Sequence, residues 1–422
     1  MKAIIIFNFI ISAVFTLCYA YQFFYVFVGL IKKQRSYRAK TNHKYAVVIS
    51  ARNESGVIGN LIESIKDQSY PSELTDIFVI ADNCTDDTAL VAKGAGATVY
   101  ERFNEGLIGK GYALDWFFKK LKEDNKNSEY EGYIIFDADN VLDRDFISEM
   151  NKVFDNGYPI VTSYRNSKNY GKNWITAGYS LWFLREAKYL NGPRMTLGTS
   201  CAISGTGFLV SSQIIEENDG WIHHLLTEDI EFTTDSIIKG KKIGYSANSV
   251  LYDEQPAKFS QSYIQRLRWS KGFYQVFTAY GKKLLQGIFK KSFACYDMLM
   301  TLMPAMLLTL ISVAVNIIAI PLGIISQSSE LMALFIVLGQ TLLGFYTIFF
   351  VLGFITTITE WNHIYCSKSR KVLYMFTFPL FMMTYIPISI IALFKKVEWS
   401  PIKHCVSVSV SDICNEEPVI RK

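Results

Sequence analysis

The sequence predicts an α/β domain, built on a mostly parallel sheet and combined with transmembrane α-helices. Strand-like and helix-like patterns alternate over residues 41–290 or so, and this alternation favours parallel strands joined by helices. Long uncharged runs stand before and after this middle part. A helix needs ~20 apolar residues to cross the hydrocarbon core of a bilayer, and these runs are long enough to do so.

The composition fits one catalytic domain with membrane segments. Half of the 422 residues are hydrophobic, and the long apolar runs account for much of that fraction. The net charge of +5 is small for this length and gives no reason to expect nucleic acid as a partner. The seven cysteines show no CxxC pairing and no histidine at metal-ligand spacing. We therefore expect free thiols in a reducing compartment.

The first apolar run, residues 3–31, carries no charge. It is about twice as long as the apolar region of a signal peptide, and no small-residue cleavage site follows it. We therefore interpret residues 1–40 as a transmembrane helix with a basic flank. Basic residues concentrated at one end of a membrane helix mark the cytoplasmic side. Five follow this run, namely Lys32, Lys33, Arg35, Arg38 and Lys40.

Polar residues stand directly after three strand-like runs in the middle of the chain. The runs are residues 45–50, 77–81 and 133–136, with amphipathic helices predicted at 57–65 and 109–122. Ligands of parallel α/β sheets bind at the carboxyl ends of the strands. The polar residues that stand there are Arg52, Glu54, Asp82, Asp137 and Asp139.

Two carboxylates, Asp137 and Asp139, flank one alanine. In an extended chain they point the same way, and carboxylate and phosphate oxygens are ligands that Mg²⁺ or Mn²⁺ shares. Lys110, at the start of a predicted helix, has the charge to reach a phosphate. An acidic turn and a solvated lysine are the structural alternatives for these residues. Asp82 could accept a nucleobase N–H, although Asx-rich turns look alike.

Two further motifs come later in the chain. Thr227, Glu228 and Asp229 begin a helical pattern with Thr227 as N-cap. Either the helix dipole explains the two acids, or Asp229 is a general base. In residues 265–269 (QRLRW), Arg268 can bind a diphosphate and Trp269 can stack on a sugar ring. An amphipathic helix at the membrane interface, over residues 261–297, explains the same residues.

Three late apolar stretches, residues 298–325, 331–358 and 372–394, complete the membrane part and precede a tail at 395–422. The turn at 326–330 has no basic residue, whereas the next turn is basic. Both patterns agree with a cytoplasmic middle domain. Four crossings would put the C-terminus outside, but lysines follow the last stretch. Pro379 and Pro387 would allow a broken path there, so the side of the C-terminus stays open.

In their order along the chain, these motifs resemble the family-2 glycosyltransferases of the cellulose, chitin, hyaluronan and poly-N-acetylglucosamine synthase type. The motifs are Asp82, Asp137 with Asp139, Thr227 to Asp229, and Gln265 to Trp269. The resemblance covers residues 41–285 or so. It implies a GT-A fold, the Rossmann-like nucleotide-sugar-binding fold, for residues 41–260. It also implies an inverting mechanism, a UDP-sugar donor, and Mg²⁺ or Mn²⁺ as cofactor.

The resemblance further implies a role for each motif residue. The donor would be bound by Arg52, Glu54, Asp82, Lys110, Asp137 and Arg268. The metal would be bound by Asp137 and Asp139. The catalytic residues would be Asp229, as the base, and Glu228. The acceptor would be bound by Trp269, Gln265 and two residues of the loop 201–208, Gly205 and Thr206.

We expect an integral, multi-pass plasma-membrane enzyme that extends a β-linked polysaccharide of the glucose or N-acetylglucosamine type. About four apolar segments are few for a private polymer channel, so a homo-oligomer or an accessory export subunit would complete it. The alternative is a lipid glycosyltransferase that adds one sugar to a ceramide-like or polyprenyl acceptor. A non-catalytic membrane subunit is disfavoured, because the apolar segments are nearly free of charge and every acidic motif is present.

Overall fold

The computed structural model describes residues 2–325 and 331–414. The predicted turn at 326–330 and the last eight residues of the predicted tail lie outside the described residues. A sheet of eight strands forms the centre of the soluble domain. The strands are β1 (Tyr45–Ala51), β2 (Thr75–Asp82), β3 (Thr98–Arg102), β4 (Gly132–Asp137), β5 (Val141–Leu142), β6 (Ile160–Ser167), β7 (Phe208–Ser211) and β8 (Ile243–Asp253).

The sheet has the order β3-β2-β1-β4-β7-β6-β8-β5. Its first four strands are parallel, which confirms the prediction for this half and for all three predicted strands. The other half is mixed, because β7 runs antiparallel to both neighbours while β8 is parallel to β6. Since β7 has only four residues, its sequence carries too little alternation to predict a strand.

Helices cover both the sheet and the membrane part of the chain. They are α1 (Lys2–Ile31), α2 (Ile58–Lys66), α3 (Thr88–Gly94), α4 (Lys110–Glu123), α5 (Phe146–Phe154), α6 (Trp174–Glu186), α7 (Gly192–Leu197), α8 (Ser212–Glu217), α9 (Glu228–Ile238), α10 (Phe259–Phe289), α11 (Phe293–Leu302), α12 (Pro304–Ile325), α13 (Leu331–Thr359), α14 (Lys368–Met383), α15 (Tyr385–Phe394) and α16 (Val410–Cys414). The predicted helices at 57–65 and 109–122 correspond to α2 and α4. Thr227 precedes α9 as predicted, but its side chain makes no capping hydrogen bond.

Among the residues that the structure describes, three segments are long and apolar enough to cross a membrane, namely α1, Leu334–Thr359 and Lys368–Phe394. Within the predicted stretch 298–325 the chain turns at Met303, between α11 and the 22 residues of α12. Helix α12 packs along α1. The Asn8 side chain of α1 donates a 2.9 Å hydrogen bond to Asn316 of α12, which satisfies both amides within an apolar surrounding.

The segment Lys368–Phe394 is broken at Thr384 into α14 and α15, and the soluble domain holds it at both ends. Near its start, Arg370 Nη1 donates to the Gly171 carbonyl over 2.9 Å. Further along the chain, beyond Phe394, the backbone N–H of Cys405 donates to Glu254 Oε2 over 2.7 Å. The chain therefore contacts the soluble domain on both sides of the break at Thr384. A break in this segment is what Pro379 and Pro387 allow.

Buried polar contacts fix the soluble domain to the membrane helices. Arg194 of α7 binds Asp297 of α11 through two nitrogens, over 2.8 and 2.7 Å, and Tyr25 of α1 donates to the same carboxylate over 2.8 Å. Tyr164 of β6 donates to Glu360, just after α13, over 2.5 Å. Breaking one buried ion pair by removing a partner costs about 3–5 kcal/mol. These contacts hold the carboxyl edge of the sheet against the helices.

Candidate active site

A cavity of about 690 Å³ lies at the carboxyl ends of β1, β2 and β4 and continues between α1 and α13. The structure brings together twelve of the thirteen residues that the sequence predicts for the site, and only Thr206 does not line the cavity. The lining residues are Arg52, Glu54, Asp82, Lys110, Asp137, Asp139, Gly205, Glu228, Asp229, Gln265, Arg268 and Trp269.

One end of the cavity lies where β1 and β2 finish. Asp82, the last residue of β2, is buried and accepts a 2.5 Å hydrogen bond from Arg102 Nη1. Burial raises the pKa of Asp82 despite this partner. The Arg52 guanidinium lies 5.3 Å from the Trp399 ring centroid, and its buried Nη1 has no hydrogen-bond partner among the described residues. This end therefore offers an acceptor and a free donor to a bound ligand.

The two aspartates after β4 have different surroundings. Asp137 is partly exposed and accepts a 2.6 Å bond from Lys110 Nζ, which also donates to the Gly205 carbonyl over 2.8 Å. Asp139 is buried, and its Oδ2 accepts the backbone N–H of Glu254 over 2.8 Å. Among the described residues no three His, Cys, Asp or Glu side chains form a ready metal site. Two carboxylates fit a hard cation whose other ligands are diphosphate oxygens.

The predicted acceptor loop, residues 201–208, presents backbone to the cavity. Gly205 has φ of +82°, which a side chain would disfavour, and its carbonyl contacts Lys110. Thr206 is buried behind the cavity wall. Its hydroxyl accepts from the Asp137 N–H over 2.8 Å and donates to Asn140 over 2.5 Å. Thr206 thus supports the turn after β4, and nothing in this arrangement favours the acceptor-binding role predicted for it.

Glu228 and Asp229, at the start of α9, line the cavity together. Burial, and then the neighbouring charge of Asp229, raise the pKa of Glu228 to about 7. Burial also raises the pKa of Asp229, while Lys110 and Arg268 oppose the shift. A carboxylate whose pKa is raised toward neutrality is suited to accept a proton. The pair is therefore the strongest candidate for a general base in the cavity.

The QRLRW residues lie on α10, a helix of 31 residues. Arg268 Nη1 donates to the Leu226 carbonyl over 2.8 Å, which leaves other nitrogens for an anion. Trp269 packs edge-on against Tyr179 and Phe183, with ring centroids 5.7 and 6.2 Å apart. This helix therefore carries a cation and an aromatic side chain to the cavity, as predicted.

A segment of the predicted C-terminal tail covers the cavity. After α15 the chain passes over the sheet edge, with Trp399 beside Arg52 and His404 Nδ1 2.8 Å from Glu54 Oε1. Burial disfavours the charged form of His404, but the Asp139 and Glu54 carboxylates outweigh it and raise the pKa to about 10. Contacts so distant along the chain leave no local sequence signal. In the sequence, the only feature of this segment that bears on its position is the group of lysines after the last apolar stretch.

Several cavity side chains hold a buried polar atom without a hydrogen-bond partner in the described part of the chain. Such atoms are rare in folded proteins and each needs an explanation. A polar ligand in the cavity would supply partners for the ones that line it. The residues are Ser50, Arg52, Glu54, Arg185, Thr227, Gln265 and Ser270.

Residues 43–272, more than half of the chain, match the family described as "Glycosyltransferase like family 2". The chain is a family-2 glycosyltransferase. The matched range begins just before β1 and ends three residues after Trp269, so it includes every predicted site residue. The ordered motifs therefore identified the family correctly.

Named relatives of this glycosyltransferase differ in their products. A β-monoglucosyldiacylglycerol synthase of Synechocystis is 24% identical over 251 residues, 56% of this chain and 48% of that protein. A poly-β-1,6-N-acetyl-D-glucosamine synthase of Staphylococcus epidermidis is 22% identical over 258 residues, 60% of this chain and 61% of that protein. The chain spans from about half to three fifths of the length of these curated relatives. The polymer-synthase type is thus one of several kinds that the glycosyltransferase resembles.

A solved mannosyltransferase of Pyrobaculum calidifontis, in complex with GDP-mannose and Mn²⁺, shares the fold of this glycosyltransferase. The two superpose with a TM-score of 0.61 at 13% identity, over 93% of this chain and 99% of the other. The GT-A fold predicted for the soluble domain is confirmed. At this identity the likeness concerns the fold alone.

Proposed function

We propose that this glycosyltransferase moves a sugar, with inversion, from a UDP-sugar to the hydroxyl of a membrane lipid. The observation that carries the proposal is the continuity of one cavity. It runs from the carboxylates after β4 and at the start of α9 to apolar side chains of α1 and α13, among them Phe15, Phe23, Phe345 and Phe349. Apolar walls on membrane helices favour an acceptor that brings its own apolar tail.

The donor would occupy the sheet end of the cavity. Arg52 and Asp82 would hold the nucleoside, while Arg268 and Lys110 would bind the diphosphate through charge-assisted hydrogen bonds. Asp137 and Asp139 would hold Mg²⁺ or Mn²⁺, which when bound offsets the charge of the leaving nucleoside diphosphate. These assignments place the cations where negative charge grows during transfer.

The acceptor hydroxyl would attack from the side of α9. Asp229 would take the hydroxyl proton as the new C1–O bond forms and the bond from C1 to the diphosphate breaks. Attack opposite the leaving group inverts the configuration at C1. Glu228, whose pKa burial raises to about 7, would share one proton with Asp229, so that the pair titrates together and Asp229 is fully charged only above that pH.

A growing β-linked polysaccharide is the second candidate acceptor. Trp269, on the cavity wall, favours it, because an aromatic face suits a sugar ring. The similarity to a poly-N-acetylglucosamine synthase supports the same acceptor. The apolar wall between α1 and α13 suits a lipid tail better than a hydroxyl-rich chain, so we place the lipid first.

We also propose that the enzyme is multi-pass, with its catalytic domain in the cytoplasm. Helices α1, α12 and α13 would cross the membrane, and the segment Lys368–Phe394 would return. The basic residues after α1 support the cytoplasmic side. In that orientation the cavity receives cytoplasmic nucleotide sugars and inner-leaflet lipids.

The test uses the full-length protein in detergent with Mn²⁺, a panel of UDP-sugars together with GDP-mannose, and dioctanoylglycerol as acceptor. We expect nucleotide release with one UDP-sugar and radiolabel that moves into organic solvent. Water-soluble, high-mass label formed without added lipid would instead establish the polysaccharide acceptor. Release with GDP-mannose alone would overturn the donor assignment.

The pH profile of transfer reports the carboxylate pair at the start of α9. The base must be ionised, so we expect kcat to fall as pH drops below an apparent pKa near 7, the value given for Glu228. Such a limb belongs to the pair rather than to one residue. Glu228→Gln removes one charge, so Asp229 should lose its proton at a lower pH. The acid limb of the kcat profile should then move to lower pH. If the acid limb stayed at the same pH in this variant, its titration would belong to a group outside the pair.

Trp269→Ala tests the acceptor end of the cavity. We expect the acceptor KM to rise about tenfold, or ~1.4 kcal/mol, through loss of an aromatic contact. The rate of donor hydrolysis without acceptor should stay within about twofold of the wild type, because the donor is assigned to the other end of the cavity. A tenfold change would correspond to ~1.4 kcal/mol. Trp399→Ala, beside Arg52, is the matched control and should raise the donor KM instead. If Trp269→Ala raised the donor KM and Trp399→Ala raised the acceptor KM, the donor and acceptor ends of the cavity would be exchanged.

A further inference from the structure

Three arginines reach the cavity from elements next to the membrane helices. Arg165 of β6 forms an ion pair with Asp253, and Arg194 of α7 forms one with Asp297 over 2.7 Å. Arg185 of α6 lines the same cavity, but no described carboxylate forms an ion pair with it. The positive charge of Arg185 is therefore available to a ligand.

The Arg185 side chain is held in place but incompletely bonded. It is only 6% exposed, and its Nη2 donates to Gln22 Oε1 of α1 over 2.7 Å. The guanidinium lies 4.9 Å from the Trp182 ring centroid. Its Nε is buried without a hydrogen-bond partner among the described residues. Contacts from two helices thus fix the side chain while one donor stays unused.

A buried cation without a counter-charge is costly, because burial removes its water. Burial lowers the pKa of Arg185 to about 10, so the group stays charged at neutral pH. Glu186 follows in sequence, but its carboxylate is 3.4 Å from the Ser204 hydroxyl and makes no recorded hydrogen bond to Arg185. Glu186 also lines the cavity, and its charge favours the charged form of Arg185, but burial outweighs that attraction. Burial also raises the pKa of Glu186 itself. An anionic ligand would offset the cost, whereas a neutral sugar hydroxyl would not.

The surroundings of Arg185 indicate what carries the anion. Gln22, its partner, lies on α1 beside Phe23, and the cavity wall continues with Phe345 and Phe349 of α13. A ligand with its anion on Arg185 therefore has an apolar path along the membrane helices. Phosphate matches the flat guanidinium with two parallel hydrogen bonds.

We propose that Arg185 binds the phosphate of a membrane lipid whose apolar tail lies between α1 and α13. This inference rests on the proposed lipid acceptor and narrows it to a phosphate-bearing one. Arg185 would position the lipid headgroup between the membrane helices and the carboxylates of α9.

The test measures thermal stabilisation of the full-length protein in neutral detergent. Dioctanoyl phosphatidate is the probe, with dioctanoylglycerol and inorganic phosphate in parallel. The variants are Arg185→Gln, the charge-preserving Arg185→Lys, and Arg38→Gln, which removes an exposed charge from the basic flank. Each unliganded variant is first melted, so that a fold defect is seen before any lipid is added.

We expect phosphatidate to stabilise the wild type and Arg38→Gln at the same lipid concentration. Arg185→Gln should need at least about tenfold more, equivalent to ~1.4 kcal/mol, and Arg185→Lys should lie between. Should Arg185→Gln melt early, weakened but measurable binding by Arg185→Lys still supports the inference. Wild-type binding by Arg185→Gln would overturn it. If dioctanoylglycerol stabilised the wild type as much as phosphatidate does, the phosphate site would also be overturned. If inorganic phosphate did so, the site would bind phosphate but the assignment to a lipid would be overturned.

Binding is measured without a donor, so the outcome is independent of transfer. If no sugar is transferred but phosphatidate binds through Arg185, the proposed reaction fails while the phosphate site stands. If transfer to dioctanoylglycerol proceeds unchanged in Arg185→Gln and phosphatidate does not bind, the reaction stands and the phosphate site fails.

Discussion

Asp229→Asn should lower kcat by about 10²–10⁴-fold, the usual contribution of a positioned general base. The amide has the size of the carboxylate but cannot accept the acceptor proton at neutral pH. Nucleotide affinity should stay near that of the wild type, because the donor is assigned to other residues of the cavity. The measurement is kcat from nucleotide release, with the nucleotide Kd obtained separately by calorimetry.

Asp219→Asn is the matched control for Asp229→Asn. Its side chain is 84% exposed on the surface, where it pairs with Lys122, so activity should not change. Glu228→Gln should retain much more activity than Asp229→Asn, because Glu228 is assigned to tune the titration of the base rather than to accept the proton of the acceptor hydroxyl. If Asp229→Asn turns over at a near-normal rate while Glu228→Gln does not, the two roles are exchanged.

The parallel half of the sheet and most of the site could be predicted from the sequence for one physical reason. Parallel strands place their carboxyl ends along one edge, so residues such as Arg52, Asp82 and Asp137 come together whatever their separation in the chain. The hydrophobic runs before them marked the strands. The site residues could therefore be predicted from their position directly after a buried strand.

Other parts of the site have no comparable local signal. His404 contacts Glu54 across 350 positions, and a lone histidine in a polar tail predicts no partner. Arg185 lies in a helix that is buried on most sides, so no amphipathic pattern shows which way it faces. Thr206 is assigned to the acceptor only through the position of its loop in the family resemblance, and its hydroxyl bonds the backbone of Asp137 instead of lining the cavity. Such contacts follow from tertiary packing.

Asp139→Ala should abolish the Mn²⁺ dependence of nucleotide binding and weaken the nucleotide Kd about tenfold or more, or ~1.4 kcal/mol. The reason is charge: a divalent cation between carboxylates and diphosphate screens their repulsion. The measurement is a calorimetric titration of UDP with and without Mn²⁺. In the wild type we expect the metal to strengthen binding, and in the variant we expect the two titrations to coincide.

Asp139 also accepts the backbone N–H of Glu254, and Glu254 in turn binds the C-terminal segment through Cys405 and Val406. Alanine removes both functions, so a loss in Asp139→Ala could reflect the segment rather than the metal. Asp139→Asn separates them, because an amide oxygen still accepts this N–H but is a weaker metal ligand. Metal-independent binding in both variants would support the metal role. Wild-type metal dependence in Asp139→Asn would instead assign Asp139 to the positioning of the C-terminal segment over the nucleotide.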